Sequence, residues 1–365
     1  MRIGVIAPPW LPVPPPAYGG IEAVVDRLAR GLLAAGHDVL LAAPGDSTCP
    51  VPRLPGVAAG RVDVGLTDHT VAELCHVRTA YAAMADLDLV HDHTVAGPLY
   101  RNRPSGLPVV TTNHGTFLYG LGELYREAGP DVTIVAISHH QAATARGLQI
   151  ARVIHHGVDV DVLPYGRGDG GYACFLGRIS PYKGIREAIL VARRAGVPLF
   201  IAAKMRQPEE REYFDDVVAP LLGGDVQYVG EIGDAAKYDL LGGAVALLNP
   251  IQWPEPFGLV MIESLATGTP VVSTPSGAAP EIVDDGTTGY LRTGLDELTE
   301  ALARAPALDR GACRAAAVER FSTTRMVADH LDLYTALLEA RPRRIVRRFA
   351  RRPGKPDVEE TRDTG

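Results

Sequence analysis

The sequence predicts an α/β protein made of two doubly wound parallel sheets, and three observations carry that expectation. Short apolar runs without polar alternation recur along the chain, as in parallel strands buried on both faces. Stretches of helical periodicity separate them, and such alternation builds a sheet with helices on each side. The pattern runs to about residue 155 and starts again at Tyr172. With 365 residues the chain has room for two domains, each with its own core. The expected division is a first domain over 1–163, a linker over 164–171, a second domain over 172–324, a helix over 325–340 and a basic tail over 341–365.

In the first half, Arg2–Pro8 reads as a strand, and Gly19-Gly20 opens a helix whose Ile21, Val24, Val25, Leu28, Leu32 and Leu33 recur at helical spacing. Between them, PPWLPVPPPAY carries six prolines, too many for helix or sheet, and predicts a stiff loop lining a ligand crevice. Strands follow at His37–Ala43, Leu87–His91, Pro108–Thr112, Thr133–Ile137 and Arg152–His155. Ligands of such sheets sit at the carboxyl ends of the strands. There the chain places His91-Asp92-His93, Asn113-His114-Gly115 and Ser138-His139-His140. Asp86-Leu87-Asp88 has the spacing of a metal-binding pair, but it precedes a strand and reads as a solvated turn. Gly166, Gly168, Gly170 and Gly171 mark residues 164–171 as the linker.

The second half repeats the architecture with strands at Tyr172–Gly177, Pro198–Ala203, Asp225–Gly230, Ala244–Asn249 and Pro270–Thr274. Arg178 lies at the first strand's carboxyl end and Lys183 at the start of the next helix, where the helix dipole disfavours a cation. A cation placed against that preference points to an anion nearby. Further on, a helix is expected to begin near Pro256, because proline's missing N–H has no intrahelical partner in a first turn. That leaves the amides of Phe257, Gly258 and Leu259 for an anion. Glu255 and Glu263 bracket this end; they are spaced to grip two ends of one ligand and not to form a close catalytic pair. Finally, Val327, Leu331, Tyr334 and Leu338 share one face of a helix over Met326–Ala340.

The stretch EPFGLVMIESLATGTPVV, with two glutamates separated by seven residues, resembles the nucleotide-sugar motif of retaining glycosyltransferases of family 4. Gly19-Gly20, Gly177-Arg178, Lys183-Gly184 and the His-x-His strand end extend the resemblance, which reaches to about residue 340 and is strongest over 172–291. It implies a GT-B fold, two facing domains with the active site in their cleft, acting with retention and without metal or cofactor. The donor is implied to be a nucleotide sugar, UDP first by family frequency and GDP next, held by the second domain, with an unidentified acceptor on the first. Glu255 is implied to touch the donor sugar and Glu263 its ribose. Arg178 and Lys183 would clamp the phosphates, with Pro256, Phe257, Gly258, Leu259 and Val260 around them and Gly19 and Gly20 in close approach. His93 is implied to lie near the reacting sugar, and His114, Gly115 and Ser138 on the acceptor side. For Glu281 the resemblance implies capping and packing, and for the terminal helix a return to the first domain. The family usually has asparagine where His156 stands. Two other classes share parts of this pattern: a nucleotide-sugar epimerase and a non-catalytic sugar-nucleotide-binding protein.

Composition narrows the setting. Hydrophobic residues at 46% and charged ones at 22% are those of a globular protein. No apolar run nears the roughly 20 residues that span a bilayer or the pattern of a signal sequence, so a cytoplasmic protein is expected. Cys49, Cys75, Cys174 and Cys313 are scattered and suggest neither a zinc site nor a disulfide framework. The net charge of −7 conceals +8 over residues 341–355 and −3 over 356–365, which leaves −12 on residues 1–340. An acidic body argues against nucleic acid. The tail sets seven arginines and a lysine around Ile345, Val346 and Phe349, a composition suited to peripheral contact with an anionic membrane.

Overall fold

The computed structural model describes residues 1–54, 66–118, 120–129 and 132–340. All eleven expected strands form, each to within two residues at either end. The first sheet holds β1 (Arg2–Ile6), β2 (Asp38–Ala42), β3 (Leu89–Asp92), β4 (Val109–Thr112), β5 (Val132–Ala136) and β6 (Ile150–Val153) in the order β2-β1-β3-β4-β5-β6. The second holds β7 (Ala173–Arg178), β8 (Leu199–Lys204), β9 (Val226–Gly230), β10 (Ala246–Asn249), β11 (Val271–Ser273) and β12 (Gly289–Leu291) in the order β12-β11-β10-β7-β8-β9. Every pairing is parallel. Three-residue β12 was not expected; Gly289-Tyr290-Leu291 is too short a run to show a period.

Each sheet is buried on both faces. On β7, Ala173 and Phe175 enter one core while Cys174 and Leu176 enter the other, the two-residue period of a pleated strand. The strand orders also fix where ligands can sit, because a crevice opens where successive connections leave in opposite directions. In the first sheet that switch falls between β1 and β3, and in the second between β7 and β10. Gly19 and Gly20 follow β1, Arg178 ends β7, and the Glu255 loop follows β10.

The terminal helix Thr323–Glu339 returns to the first half. Met326, Val327, Leu333 and Tyr334 join the core that holds Ile3, Val25 and Leu28. Full burial of a large apolar side chain stabilises by about 1.5–3 kcal/mol. Tyr334 also donates or accepts at His91 Nδ1 across 2.6 Å, while Thr112 Oγ1 lies 2.8 Å from His91 Nε2. His91 is thereby a structural residue.

Three expectations need correction. The helix after β10 runs from Leu259 to Ala266, so Pro256 lies in the preceding loop and the first-turn amides are those of Leu259 and Val260. Gly258, at φ 102°, makes the turn that proline was expected to make. Lys183 sits in a single 3-10 turn, Pro181–Lys183, ahead of the Ile185–Ala195 helix, so the dipole argument does not apply to it directly. The glycine-rich segment is not a loose tether: Gly166 N donates to Thr267 O at 2.9 Å, Gly168 N to Gly242 O at 3.0 Å and Gly170 N to Gly243 O at 3.0 Å. Its glycines serve close packing, since a Cβ on Gly166 would fall 2.1 Å from Gly242. The basic tail lies outside the described residues.

Candidate active site

A cavity of about 810 Å³ lies between the two sheets. From the first half it is lined by Trp10, Tyr18, Gly19, Gly20, Glu22, Arg27, His114 and Gly115. The proline-rich loop is therefore a wall of the cleft, tied across it by Tyr18 N, which donates to Glu231 Oε1 at 3.1 Å. Gly19 is extended, so its lack of a side chain answers to space: a Cβ there would fall 2.6 Å from Pro15 Cβ. At Gly20 a Cβ would come within 3.1 Å of Leu259 Cδ1 on the opposite wall. These two glycines let the halves approach.

The second half contributes Arg178, Lys183, Lys204, Arg206, Lys237, Glu255, Pro256, Phe257, Gly258, Leu259, Val260 and Glu263. Lys183 Nζ contacts Glu255 Oε1, both side chains largely buried. Glu255 Oε2 is buried without a partner. Glu263 Oε1 accepts from Lys237 Nζ at 2.8 Å and faces Arg27 Nη2 at 3.6 Å, so a residue of the first helix, Gly20–Ala34, reaches the glutamate across the cleft. Arg178 is half-exposed, with Glu210 3.4 Å from its Nε. The wall thus carries two glutamates, each matched to its own lysine, beside a half-exposed arginine and a helix N-terminus. Its electrostatics favour an anion.

The opposite wall is backed by a column of neighbouring histidine rings, of which His114 and His156 line the cavity. His330, His91, His93, His114 and His156 follow one another at centroid distances of 5.1, 4.2, 5.2 and 5.1 Å. Burial, followed by the neighbouring rings, holds His91, His93 and His156 well below the usual histidine range. Burial and His330 push His114 down to about 3. His114 lines the cavity; His93 does not, being buried behind it with Nδ1 2.9 Å from His114 Nε2. His93 therefore lies behind the cleft wall, while His114 and His156 are among the residues that line it. Asp92, between His91 and His93 in the chain, holds the turn after β3, accepting from Thr94 N at 2.8 Å and Tyr81 OH at 2.8 Å. Ser138 is also relocated: it is fully buried, caps the His139–Thr144 helix and donates to Pro256 O at 2.6 Å, so it joins the halves and does not face the cavity.

Two family descriptions match this chain, "Glycosyltransferase Family 4" over residues 18–162 and "Glycosyl transferases group 1" over residues 166–307. The chain belongs to family 4 of the glycosyltransferases, with the GT-B fold. This transferase is 27% identical to the phosphatidyl-myo-inositol mannosyltransferase of Mycolicibacterium smegmatis over 80% of each chain. It is also 27% identical to the D-inositol 3-phosphate glycosyltransferase of Streptomyces avermitilis, over 90% of this chain and 85% of that protein. Among solved structures it is similar to AviGT4, a glycosyltransferase involved in avilamycin A biosynthesis, with 29% identity, a TM-score of 0.72 and coverage of 93% and 99% of the two chains. Those relatives are enzymes of sugar transfer, which sets aside the epimerase and the non-catalytic binder.

Several cleft residues of the transferase escaped the sequence reading. Arg27 and Lys237 lie on helices whose patterns mark only their apolar faces. Lys237 meets Glu263 from the neighbouring helix of the same half, and the approach of Arg27 to Glu263 exists only once the two sheets face each other. Glu22 is buried at the cavity, and burial raises its carboxyl to about 7. The position of His156 was noted as a departure from the family, and its ring lines the cavity against His114. Glu281 does cap: it accepts from His139 N at 2.8 Å and His140 N at 2.6 Å, on the helix of the other half.

Proposed function

We propose that this transferase moves a sugar from a nucleoside diphosphate sugar, UDP-linked first and GDP-linked next, to a hydroxyl acceptor, with retention and without a metal. The observation that carries the reading is the convergence of Arg178, Lys183, Glu255, Glu263 and the Leu259 helix start on one wall of the cavity that His114 faces from the other. In this reading the diphosphate lies against Arg178, Lys183 and the amides of Leu259 and Val260, the sugar against Glu255 and the ribose against Glu263. Residues 172–324 hold the donor and residues 1–163 the acceptor, with the terminal helix joining them.

As the bond from anomeric carbon to diphosphate oxygen breaks, negative charge grows on the leaving phosphate, and fixed cations and amides favour that state over the ground state. The acceptor oxygen bonds the anomeric carbon on the same face, and its proton passes to the departing phosphate oxygen. The products are the glycoside and the nucleoside diphosphate. Relatives named for phosphatidyl-myo-inositol and D-inositol 3-phosphate direct the acceptor search to cyclitol phosphates and their lipid forms. The reading also places the work in the cytoplasm, with the basic tail against the inner membrane surface. No helix among the described residues is long and apolar enough to cross a membrane.

The test is a thermal-shift screen over UDP, GDP, ADP and TDP, since a ligand of the native state raises stability by mass action. Proton NMR of the product then reads the anomeric configuration. An inverted linkage ends the retaining mechanism. Co-sedimentation with anionic liposomes compares the full chain with one ending at Ala340; equal, negligible pelleting removes the membrane contact.

A further inference from the structure

One cluster of side chains at the seam does not line the cleft: His139, His155 and Glu281. His139 opens the helix after β5, His155 follows β6, and Glu281 sits on the Ala279–Ile282 turn of the second half. One ligand atom from each lies within 4.8 Å of the others. In sequence the three are too far apart for any spacing rule to join them.

The carboxylate is oriented in advance. Glu281 Oε1 accepts from His140 N at 2.6 Å and Oε2 from His139 N at 2.8 Å, so backbone amides fix the plane of the group as outer-shell donors fix metal ligands. Burial opposes its charge, but the hydrogen bond from His155 and the two amides prevail and hold it below the usual carboxylate range. The contact of His155 Nε2 with Glu281 Oε2, at 2.9 Å, is the one that a cation can replace. His139 is exposed, with its ring edge-on to His155 at a centroid distance of 5.9 Å. Bonds near 2.0–2.1 Å in a tetrahedral site require a ligand spacing of roughly 3.4 Å, so an ion held here draws the exposed His139 ring inward.

We infer that His139, His155 and Glu281 form a binding site for zinc or a similar borderline divalent cation, with a water in the fourth position. Two imidazoles and one carboxylate suit that class of ion. Magnesium and calcium take all-oxygen sets and are excluded. Because two ligands belong to the first half and one to the second, the ion joins the halves at their seam. It lies beside Phe257, whose ring is 5.7 Å from that of His155 and which lines the cleft.

The experiment uses the full chain without an affinity tag, stripped with EDTA and desalted, then titrated with zinc chloride by calorimetry and followed by thermal melting. Binding of one zinc per chain and a higher melting temperature are expected, with no response to magnesium chloride. His139→Asn and His155→Asn should each weaken zinc binding by about tenfold or more. His139→Asn should keep the zinc-free melting temperature of the parent, because the ring is exposed and the backbone N–H that holds Glu281 is retained. Absence of zinc binding by the parent chain, or unchanged affinity in His139→Asn, overturns the assignment.

Discussion

Ser138 Oγ donates to the carbonyl oxygen of Pro256 at 2.6 Å, which fastens the end of the first sheet to the loop that feeds the Leu259–Ala266 helix. Ser138 Oγ also accepts from Gln141 N at 2.9 Å, so one hydroxyl both caps a helix and holds the seam. Ser138→Ala removes a cap, about 1 kcal/mol, and leaves a buried carbonyl without its partner, about 1–3 kcal/mol more. We expect a lower melting temperature together with a raised KM for the donor, since Pro256 belongs to the cleft wall. A drop in melting temperature with an unchanged KM would confine Ser138 to stability.

The contact of Lys183 with Glu255 makes each the counter-charge of the other. Removing the lysine takes away a phosphate cation and also leaves a buried carboxylate alone. Lys183→Ala and Arg178→Ala are expected to lower kcat/KM by about tenfold or more. Glu255→Ala is expected to spare UDP affinity and to harm the intact sugar donor. Steady-state kinetics with nucleotide competition separate the two effects; near-parental rates in both cation variants would refute the phosphate clamp.

Gly184 shows why the residue after Lys183 is glycine. It has φ 72°, and a Cβ there would fall 1.9 Å from Pro250 O. Gly184→Ala must shift the turn that carries Lys183. Its predicted signature is a loss of turnover of the same order as in Lys183→Ala, accompanied by a lower melting temperature. Parental kinetics in this variant would show that the turn tolerates displacement.

Glu263 tests the ribose assignment. Its Oε1 is held by Lys237, with Arg27 at 3.6 Å, so alanine would strand two cations, and glutamine is the milder change. Glu263→Gln should weaken UDP itself and narrow the difference between UDP and its deoxyribose analogue. Calorimetry with both nucleotides reads this directly. If Glu263→Gln spared UDP while Glu255→Ala weakened it, the ligand would lie in the reverse direction.

What was legible in the sequence follows from what is local. The strands showed themselves because parallel strands buried on both faces read as apolar runs, and Glu255, Glu263, Arg178 and Lys183 were found through motifs contiguous in the chain. The start of the helix at Leu259 was misjudged because a left-handed glycine, Gly258, does the work assigned to proline. His93 and His114 both end strands, and their order in depth depends on how far each strand projects, which no spacing records. Ser138 and Glu281 act across the seam, and Arg27 meets Glu263 only there. Contacts between the halves are set by docking, and the docked surface is the part the pattern leaves unwritten.

The histidine column predicts how stability responds to acid. His114 is pushed to about 3 by burial and His330 to about 4, while burial holds His91, His93 and His156 well below the usual range. Each is neutral in the fold, yet takes a proton in the unfolded chain below about 6.5. The unfolded state then binds more protons, so the stability each contributes is complete above about 6.5 and is lost as pH falls toward the folded-state value, by about 1.4 kcal/mol per pH unit per histidine. Asp92 works in the opposite sense. Burial raises its carboxyl to about 6, so its contribution is complete below the unfolded value and is lost as pH rises through about 6. Glu22, raised to about 7 by burial, works in the same sense as Asp92, but five histidines outweigh these two carboxyls between pH 6.5 and 4.5, and the melting temperature should fall steadily over that interval. His330→Gln isolates one member of the column: its Nδ1 lies 2.8 Å from Met326 O, a contact that an amide can replace, and its Nε2 is buried without a partner. Denaturant titrations at several pH values should show that variant losing stability with acid by about one proton's slope less than the parent. Equal slopes would mean that His330 takes up its proton alike in both states and that the column is not what makes the fold acid-sensitive.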